Sequence, residues 1–316
     1  MPDIITLGES MVMMVADQTD SLQFVTNYTR KIAGAESNVA IGLSRLGHQV
    51  GWISALGDDP FGRYIRNTIR GEGVDTSQVV FSEQAPTGLL VKELNQAGDP
   101  HVYYYRRYSA ASQMTPSLLA PAYFSGARIL HVTGIFPALS PSCLDTVLHA
   151  IDLAKQEGMI VSFDPNYRPQ LWTEATARAT LLAIAERADL VLPGLGEARL
   201  LAGSSDWQVV AAFFHALGSR YVVMKDGPAG AYFSQRLPDG TLENGYCQGY
   251  AVKVVVDTVG AGDGFAAGVL SGLLEQMPLS ECVQRGVAIG SMAVRVRGDV
   301  EGYPDRRRLL AFLNEQ

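Results

Sequence analysis

Short apolar runs alternate along the chain with stretches whose apolar positions recur every three or four residues. Ile4 to Leu7, Val50 to Leu56, Ile129 to Val132, Ile160 to Phe163, Leu190 to Leu192 and Tyr221 to Met224 predict buried strands. Between most of them lie amphipathic patterns, Glu36 to Leu46, Pro141 to Glu157, Glu174 to Arg187 and Asp206 to Leu217, that predict helices. Gly47, Gly158 and Gly218 directly follow three of these patterns, where a helix ends most easily. Strand and helix in alternation predict an α/β fold with a parallel sheet covered on both faces. From Asp257 onward the pattern is helical, over Ala261 to Met277, Leu279 to Val296 and Asp305 to Leu313.

Two segments break the rhythm. Residues 11–33 hold Met11 to Val15 and Tyr28 to Ile32 with no helix between them. Residues 87–110 hold Leu89 to Leu94, the turn-forming Asn95-Gln96-Ala97-Gly98-Asp99, and then His101 to Tyr108, which predicts a hairpin. Both are assigned to a small antiparallel sheet inserted into one domain spanning 1–316. Such a sheet is either a pair of edge hairpins or a lid over a cleft, and the lid is the reading adopted.

Composition narrows the class. The 316 residues are 47% hydrophobic, enough for a large core, and 18% charged, too few for long disordered tails. The net charge of −7 leaves no basic excess to neutralise a polyanion, so nucleic acid is not an expected partner. Cys143, Cys247 and Cys282 are scattered and odd in number, which supports neither a disulfide framework nor a metal-binding CxxC and points to a reducing cytoplasm. The N-terminus lacks the pattern of a signal peptide, and no run approaches the roughly 20 apolar residues of a membrane span.

The strongest local chemistry is Asp257-Thr258-Val259-Gly260-Ala261-Gly262-Asp263-Gly264-Phe265, after the apolar run Val252 to Val256. The small residues Gly260, Ala261 and Gly262 at a helix start leave backbone N–H groups uncovered, and with the helix dipole these suit a phosphate or a developing anion. Asp263, in the first turn, is within reach of whatever those groups hold and can take a proton from an attacking hydroxyl. An N-cap Asp after a glycine turn is the plainer alternative. Gly268 and Gly272 imply close packing of this helix, since each costs roughly 1 kcal/mol against Ala. A P-loop, a dinucleotide GxGxxG after the first strand and HExxH are all absent, and the five histidines show no metal spacing.

With these residues in view, the chain resembles the PfkB carbohydrate kinase family, which has a ribokinase-like fold. The likeness runs through Gly8-Glu9, Ala33-Gly34-Ala35-Glu36-Ser37-Asn38, Gly57-Asp58-Asp59-Pro60-Phe61-Gly62, Val222 to Gly230 and the Asp263 motif, in the family's order. Within the family it is most similar to the 2-keto-3-deoxygluconate kinases, through Val102 to Arg107, Asp164-Pro165-Asn166-Tyr167-Arg168 and Gly298-Asp299-Val300-Glu301-Gly302-Tyr303-Pro304.

The resemblance implies a three-layer α/β/α sandwich with a small β-sheet lid. It also implies ATP-dependent phosphorylation of the terminal hydroxyl of a sugar acid, with Asp263 as base and Gly260, Ala261 and Gly262 as the anion-holding turn. Gly34, Asn38, Tyr104, Arg106 and Arg168 are then expected on the sugar acid, the Arg residues suiting a carboxylate. If Tyr104 and Arg106 face the cleft, Tyr103 and Tyr105 face away. Glu197, Lys225, Gly227, Gly230, Gly260 and Gly262 are expected along ATP, with Glu197 touching Mg²⁺ through water. A monovalent cation is a further candidate cofactor, and a homo-oligomer is expected. Two positions depart from the family pattern: Gly194 stands where an Asn precedes Glu197, and the helix around Val287 lacks an Asn placed near adenine. A kinase of a neutral sugar, such as a fructokinase or ribokinase, and a non-catalytic sugar-binding homologue are the alternatives.

Overall fold

The six apolar runs pair in one sheet. The computed structural model describes residues 1–94 and 101–315. Among these residues the strands are β1 (Ile4–Leu7), β2 (Met11–Ala16), β3 (Tyr28–Ala33), β4 (Val50–Gly57), β5 (Val79–Ser82), β6 (Leu89–Lys92), β7 (Val102–Tyr105), β8 (Ile129–Thr133), β9 (Ile160–Asp164), β10 (Leu190–Val191), β11 (Tyr221–Lys225), β12 (Gly230–Arg236) and β13 (Leu242–Gln248). Nine form the main sheet in the order β13-β12-β11-β10-β9-β8-β1-β4-β5. It is parallel from β5 to β11, so the ends of β1, β8, β9 and β11 point to one edge.

Alternate residues feed two cores. Ile5 and Leu7 of β1 join Leu130 and Val132 under the helices Pro141–Gln156 and Glu174–Ala185. Ile4 and Trp52 face the opposite layer, built from the helices Ala35–Arg45, Ala261–Leu274 and Leu279–Ala293. The three layers are those expected. Gly268 and Gly272 pack as anticipated: a β-carbon on Gly268 would stand 2.6 Å from the Gly286 Cα, and one on Gly272 2.8 Å from the Cys282 Cα.

The main sheet differs from the parallel expectation at one edge. β12 pairs antiparallel with β11, and β13 antiparallel with β12. The sequence pattern predicts neither strand, and β13 (Leu-Glu-Asn-Gly-Tyr-Cys-Gln) is mostly exposed, so it lacks the apolar run by which the parallel strands are recognised. The Val254 to Val256 stretch is exposed and runs as a loop, with the Val256 amide donating to the Val294 carbonyl at 2.8 Å.

The lid is a second sheet, in the order β3-β2-β6-β7. β2–β3 and β6–β7 are antiparallel as expected, but β2 and β6 run parallel, so the lid is mixed rather than purely antiparallel. The parallel strands β1 and β5 each hand the chain to a lid segment at the same edge of the core, so the first strand of each segment sets out in the same direction. The Asn95 to Asp99 turn lies outside the described residues. Met11, Met13, Val15, Ala33 and Leu90 form a small core of the lid's own. No helix among the described residues is long and apolar enough to cross a membrane.

Candidate active site

A cavity of about 990 Å³ lies between the lid and the carboxyl ends of the core strands. Gly34, Asn38, Tyr104, Arg106, Arg168, Glu197, Lys225, Gly260, Gly262 and Asp263 all line it. Ala261 sits between two lining residues. Gly227 and Gly230 do not line it: Gly227 lies in the turn between β11 and β12 and Gly230 is the first residue of β12, where a β-carbon would stand 2.0 Å from the Cys247 carbonyl oxygen. They shape that turn, and the cavity wall at this point is Lys225.

Asp263 occupies the first turn of the helix Ala261–Leu274. The Asn38 Nδ2 donates to its Oδ2 at 2.8 Å, and the Asn166 Nδ2 donates to its Oδ1 at 3.4 Å. Asn38 is buried on the helix Ala35–Arg45, while Asn166 follows β9 with a left-handed φ of 38°, a conformation Asn tolerates better than other side-chain-bearing residues. The Asn166 amide closes a turn onto the Asp164 Oδ1 at 3.1 Å, which holds that backbone in place. Burial pushes the Asp263 carboxyl up to about 6; the Asn38 hydrogen bond opposes this, as do the Arg168 and Lys225 charges, whereas the Asp164 charge adds to it.

The turn before Asp263 has one conformation open to it. Gly260 has φ 76°, and a β-carbon there would stand 2.0 Å from the Asp299 carbonyl oxygen, so only glycine fits. In front of Gly262 the space is open, with the Lys225 Nζ 4.0 Å from where its β-carbon would be. Gly260, Gly262 and an ammonium thus converge beside the carboxylate, while the Ala261 N–H donates to the Thr258 carbonyl at 3.4 Å. Lys225 is itself paired, 2.5 Å from the Asp164 Oδ2.

The arginines of the cleft are not equivalent, which the sequence reading did not anticipate; Arg106, Arg107 and Arg168 all line the cavity. Arg106 is committed to the buried Glu9: its Nε donates to Oε2 at 2.7 Å, and its Nη2 forms an ion pair with the same oxygen. The Ser109 hydroxyl donates to the other oxygen of Glu9. Arg168 is exposed to the cavity and makes no salt bridge among the described residues. The strand alternation is as anticipated: Val102, Tyr104 and Arg106 line the cavity, while Tyr103 and Tyr105 are not among its walls and are 49% and 64% exposed.

Glu197 caps its own helix, Leu195–Ala202. Its Oε2 accepts from the Gly194 amide at 2.5 Å and its Oε1 from the Tyr167 amide at 3.1 Å. Each oxygen keeps a lone pair for the cavity, which fits a role in the water shell of a divalent ion carried by a nucleotide. No group of three His, Cys, Asp or Glu side chains among the described residues could cage a metal.

Sequence reasoning gave no role to Asp299, which shares the Asn38 amide at 3.3 Å. Burial, followed by the nearby Asp263 charge, pushes its carboxyl up to about 7. Its place in Gly298-Asp299-Val300-Glu301-Gly302 was visible; its contact with Asn38, 261 residues away, was not.

Comparison with known proteins agrees with this geometry. Residues 1–306 match the pfkB family of carbohydrate kinases. The chain belongs to that family. A 2-dehydro-3-deoxygluconokinase of Bacillus subtilis (strain 168) is 45% identical over 316 residues, 99% of this chain and 96% of the relative. The crystal structure of a PfkB protein from Polaromonas sp. JS666 superposes with a TM-score of 0.89 at 42% identity, covering 98% of this chain and 100% of that one. A fructokinase double mutant of Vibrio cholerae O395, in a form binding fructose, ADP and potassium ion, has a TM-score of 0.85 at 27% identity, with 98% of each chain covered. The pfkB likeness spans both the lid and the core, so the ribokinase-like architecture and a sugar-kinase reaction class hold for the whole cleft.

Proposed function

We propose that this pfkB kinase transfers the γ-phosphoryl group of ATP to the terminal hydroxyl of a sugar acid, 2-keto-3-deoxygluconate, giving its 6-phosphate. The carrying observation is that Asp263 and the turn Gly260–Gly262 share one cavity with Arg168, a guanidinium that makes no salt bridge among the described residues. The 45% identity to a 2-dehydro-3-deoxygluconokinase supports the same substrate.

In this reading the sugar acid lies under the lid, its carboxylate toward Arg168 and its far hydroxyl toward Asp263. Asp263 takes the hydroxyl proton as the oxygen attacks phosphorus, and the N–H groups of Gly260 and Gly262 face the charge that builds on the transferred group, with the Ala261 N–H joining them if it leaves the Thr258 carbonyl. Lys225 adds positive charge on the same side. Most of the acceleration is positioning and charge stabilisation, because phosphoryl transfer asks little covalent chemistry of the protein. A divalent ion travelling with ATP supplies charge neutralisation between adjacent phosphates, with Glu197 beside its water shell.

A coupled ADP-release screen over sugars and sugar acids tests the proposal. The highest kcat/KM is expected for 2-keto-3-deoxygluconate, and a preference for fructose or ribose would favour the neutral-sugar reading supported by the fructokinase likeness. Turnover should stop in excess EDTA and return with added Mg²⁺; full activity without divalent ions would remove them from the reaction.

We also propose that the protein is a homo-oligomer joined through the lid. β3 and β7 are the lid's edge strands, and Tyr103, Tyr105 and Tyr108 are well exposed on or just after β7. Sedimentation at micromolar concentration should show a species larger than the monomer, and a monomer would reject this interface.

A further inference from the structure

The lid reaches the loop before the catalytic turn through a buried charge pair. Lys92, the last residue of β6, places its Nζ 2.7 Å from the Oδ2 of Asp257, 165 residues away in sequence. The two side chains are 5% and 7% exposed. Asp257 begins the loop that leads into Gly260–Gly262, and its carboxylate is a junction. Its Oδ1 accepts from the Val259 amide at 3.2 Å, and its Oδ2 accepts from the Gly298 amide at 3.2 Å as well as from Lys92. Gly298 precedes Asp299, whose carbonyl oxygen occupies the space a β-carbon on Gly260 would need. A second lid lysine holds the same C-terminal loop from β3: the Lys31 Nζ donates to the Arg297 carbonyl at 3.0 Å and pairs with Glu301 at 2.8 Å.

A buried ion pair is a poor source of stability, because desolvating both charges offsets most of their attraction and an apolar pair of similar size often does as well. What such a pair supplies is a fixed position. Among the described residues, Lys92 is also the lid residue whose ion pair is with the segment feeding the anion-holding amides; Lys31 and Arg106 pair with Glu301 and Glu9 instead.

We propose that Lys92 is a positioning residue for phosphoryl transfer: through Asp257 it sets the path of Val259 to Gly262, so that the turn's N–H groups are aimed only when the lid strand is seated on the core. The inference rests on the phosphoryl-transfer reading but not on the identity of the sugar. A misplacement of about 1 Å in such a constellation can cost roughly 100-fold in rate.

The test compares Lys92→Met with the double variant Lys92→Met, Asp257→Asn, in which the burial of an unpaired charge is relieved. Both are assayed with whichever sugar has the highest kcat/KM in the screen. The single variant is expected to lose roughly 10- to 100-fold in kcat while KM for ATP changes less than about threefold. In the double variant the thermal midpoint should return toward that of the unaltered protein while kcat stays at least about tenfold down. Recovery of kcat together with the midpoint would reduce the pair to a structural one and overturn the proposal, as would an unchanged kcat in Lys92→Met. Failure of the protein to phosphorylate any sugar would instead sink the kinase reading itself, so the two failures are distinguishable.

Discussion

Asp263→Asn is expected to lower kcat by roughly 100-fold or more, with ATP affinity nearly unchanged. The substitution keeps the shape of the side chain and removes its capacity to take a proton. It also disturbs the local hydrogen bonding in a predictable way. Asn38 and Asn166 each aim an Nδ2 donor at a separate oxygen of Asp263. An amide has one oxygen, so one of those donors would face an NH₂ group, and a modest rise in KM for the sugar should accompany the loss of kcat.

The same residue sets the acid limb of the pH profile. The reactive form of Asp263 is the ionised one, and its carboxyl titrates near 6 because burial raises it. The rate is therefore expected to hold above pH 6 and to fall about tenfold per unit as the pH drops well below it. Near-normal kcat in a folded Asp263→Asn protein would remove Asp263 from the role of base. A kcat that stays level down to pH 4.5 would contradict the raised titration.

The second large effect is expected at Arg168. Replacement by Ala should raise KM for 2-keto-3-deoxygluconate by roughly 10- to 100-fold, the equivalent of one or two charge-assisted hydrogen bonds to a carboxylate. Arg106 is a less telling position for this test, because removing it leaves Glu9 buried without its cation and mixes a folding cost with any loss of binding. Arg168 is exposed to the cavity and free of such a partner among the described residues, so its removal reports on ligand binding. A neutral sugar should be affected much less. Lys at the same position should rescue in part, supplying charge without the planar fork. Equal losses on acid and neutral substrates in Arg168→Ala would argue against a carboxylate at this guanidinium.

Much of this architecture was legible along the chain. The six apolar runs became adjacent strands of one sheet, and Glu36 to Leu46 and Pro141 to Glu157 matched their helices to within a residue. The patterns along the chain predict no strand at β5, β12 or β13 and no helix at Pro60–Gly71 or Leu195–Ala202, and they miss one pairing in the lid as well. β13 is exposed and polar, because an edge strand that buries little carries no hydrophobic pattern. The parallel pairing of β2 with β6 joins segments more than 70 residues apart, and no local periodicity encodes which strand meets which.

The cleft divides along the same line. Read alone, the sequence singled out the small-residue turn Gly260–Gly262 with Asp263 beside it, the family resemblance supplied their expected roles, and strand alternation said only that Tyr104 and Arg106 share a face opposite Tyr103 and Tyr105. The tertiary structure decided which charges are already spoken for. It joined Arg106 to Glu9, Lys225 to Asp164 and Lys92 to Asp257, leaving Arg107 and Arg168 as the cavity-lining arginines without a salt bridge among the described residues. It also brought Asn38 and Asn166 to Asp263 across 225 and 97 residues. Short-range sterics and periodicity fix what a segment is; whether a charged side chain is free for a ligand depends on its neighbours in space, and those come from strands and loops that only the folded chain brings together.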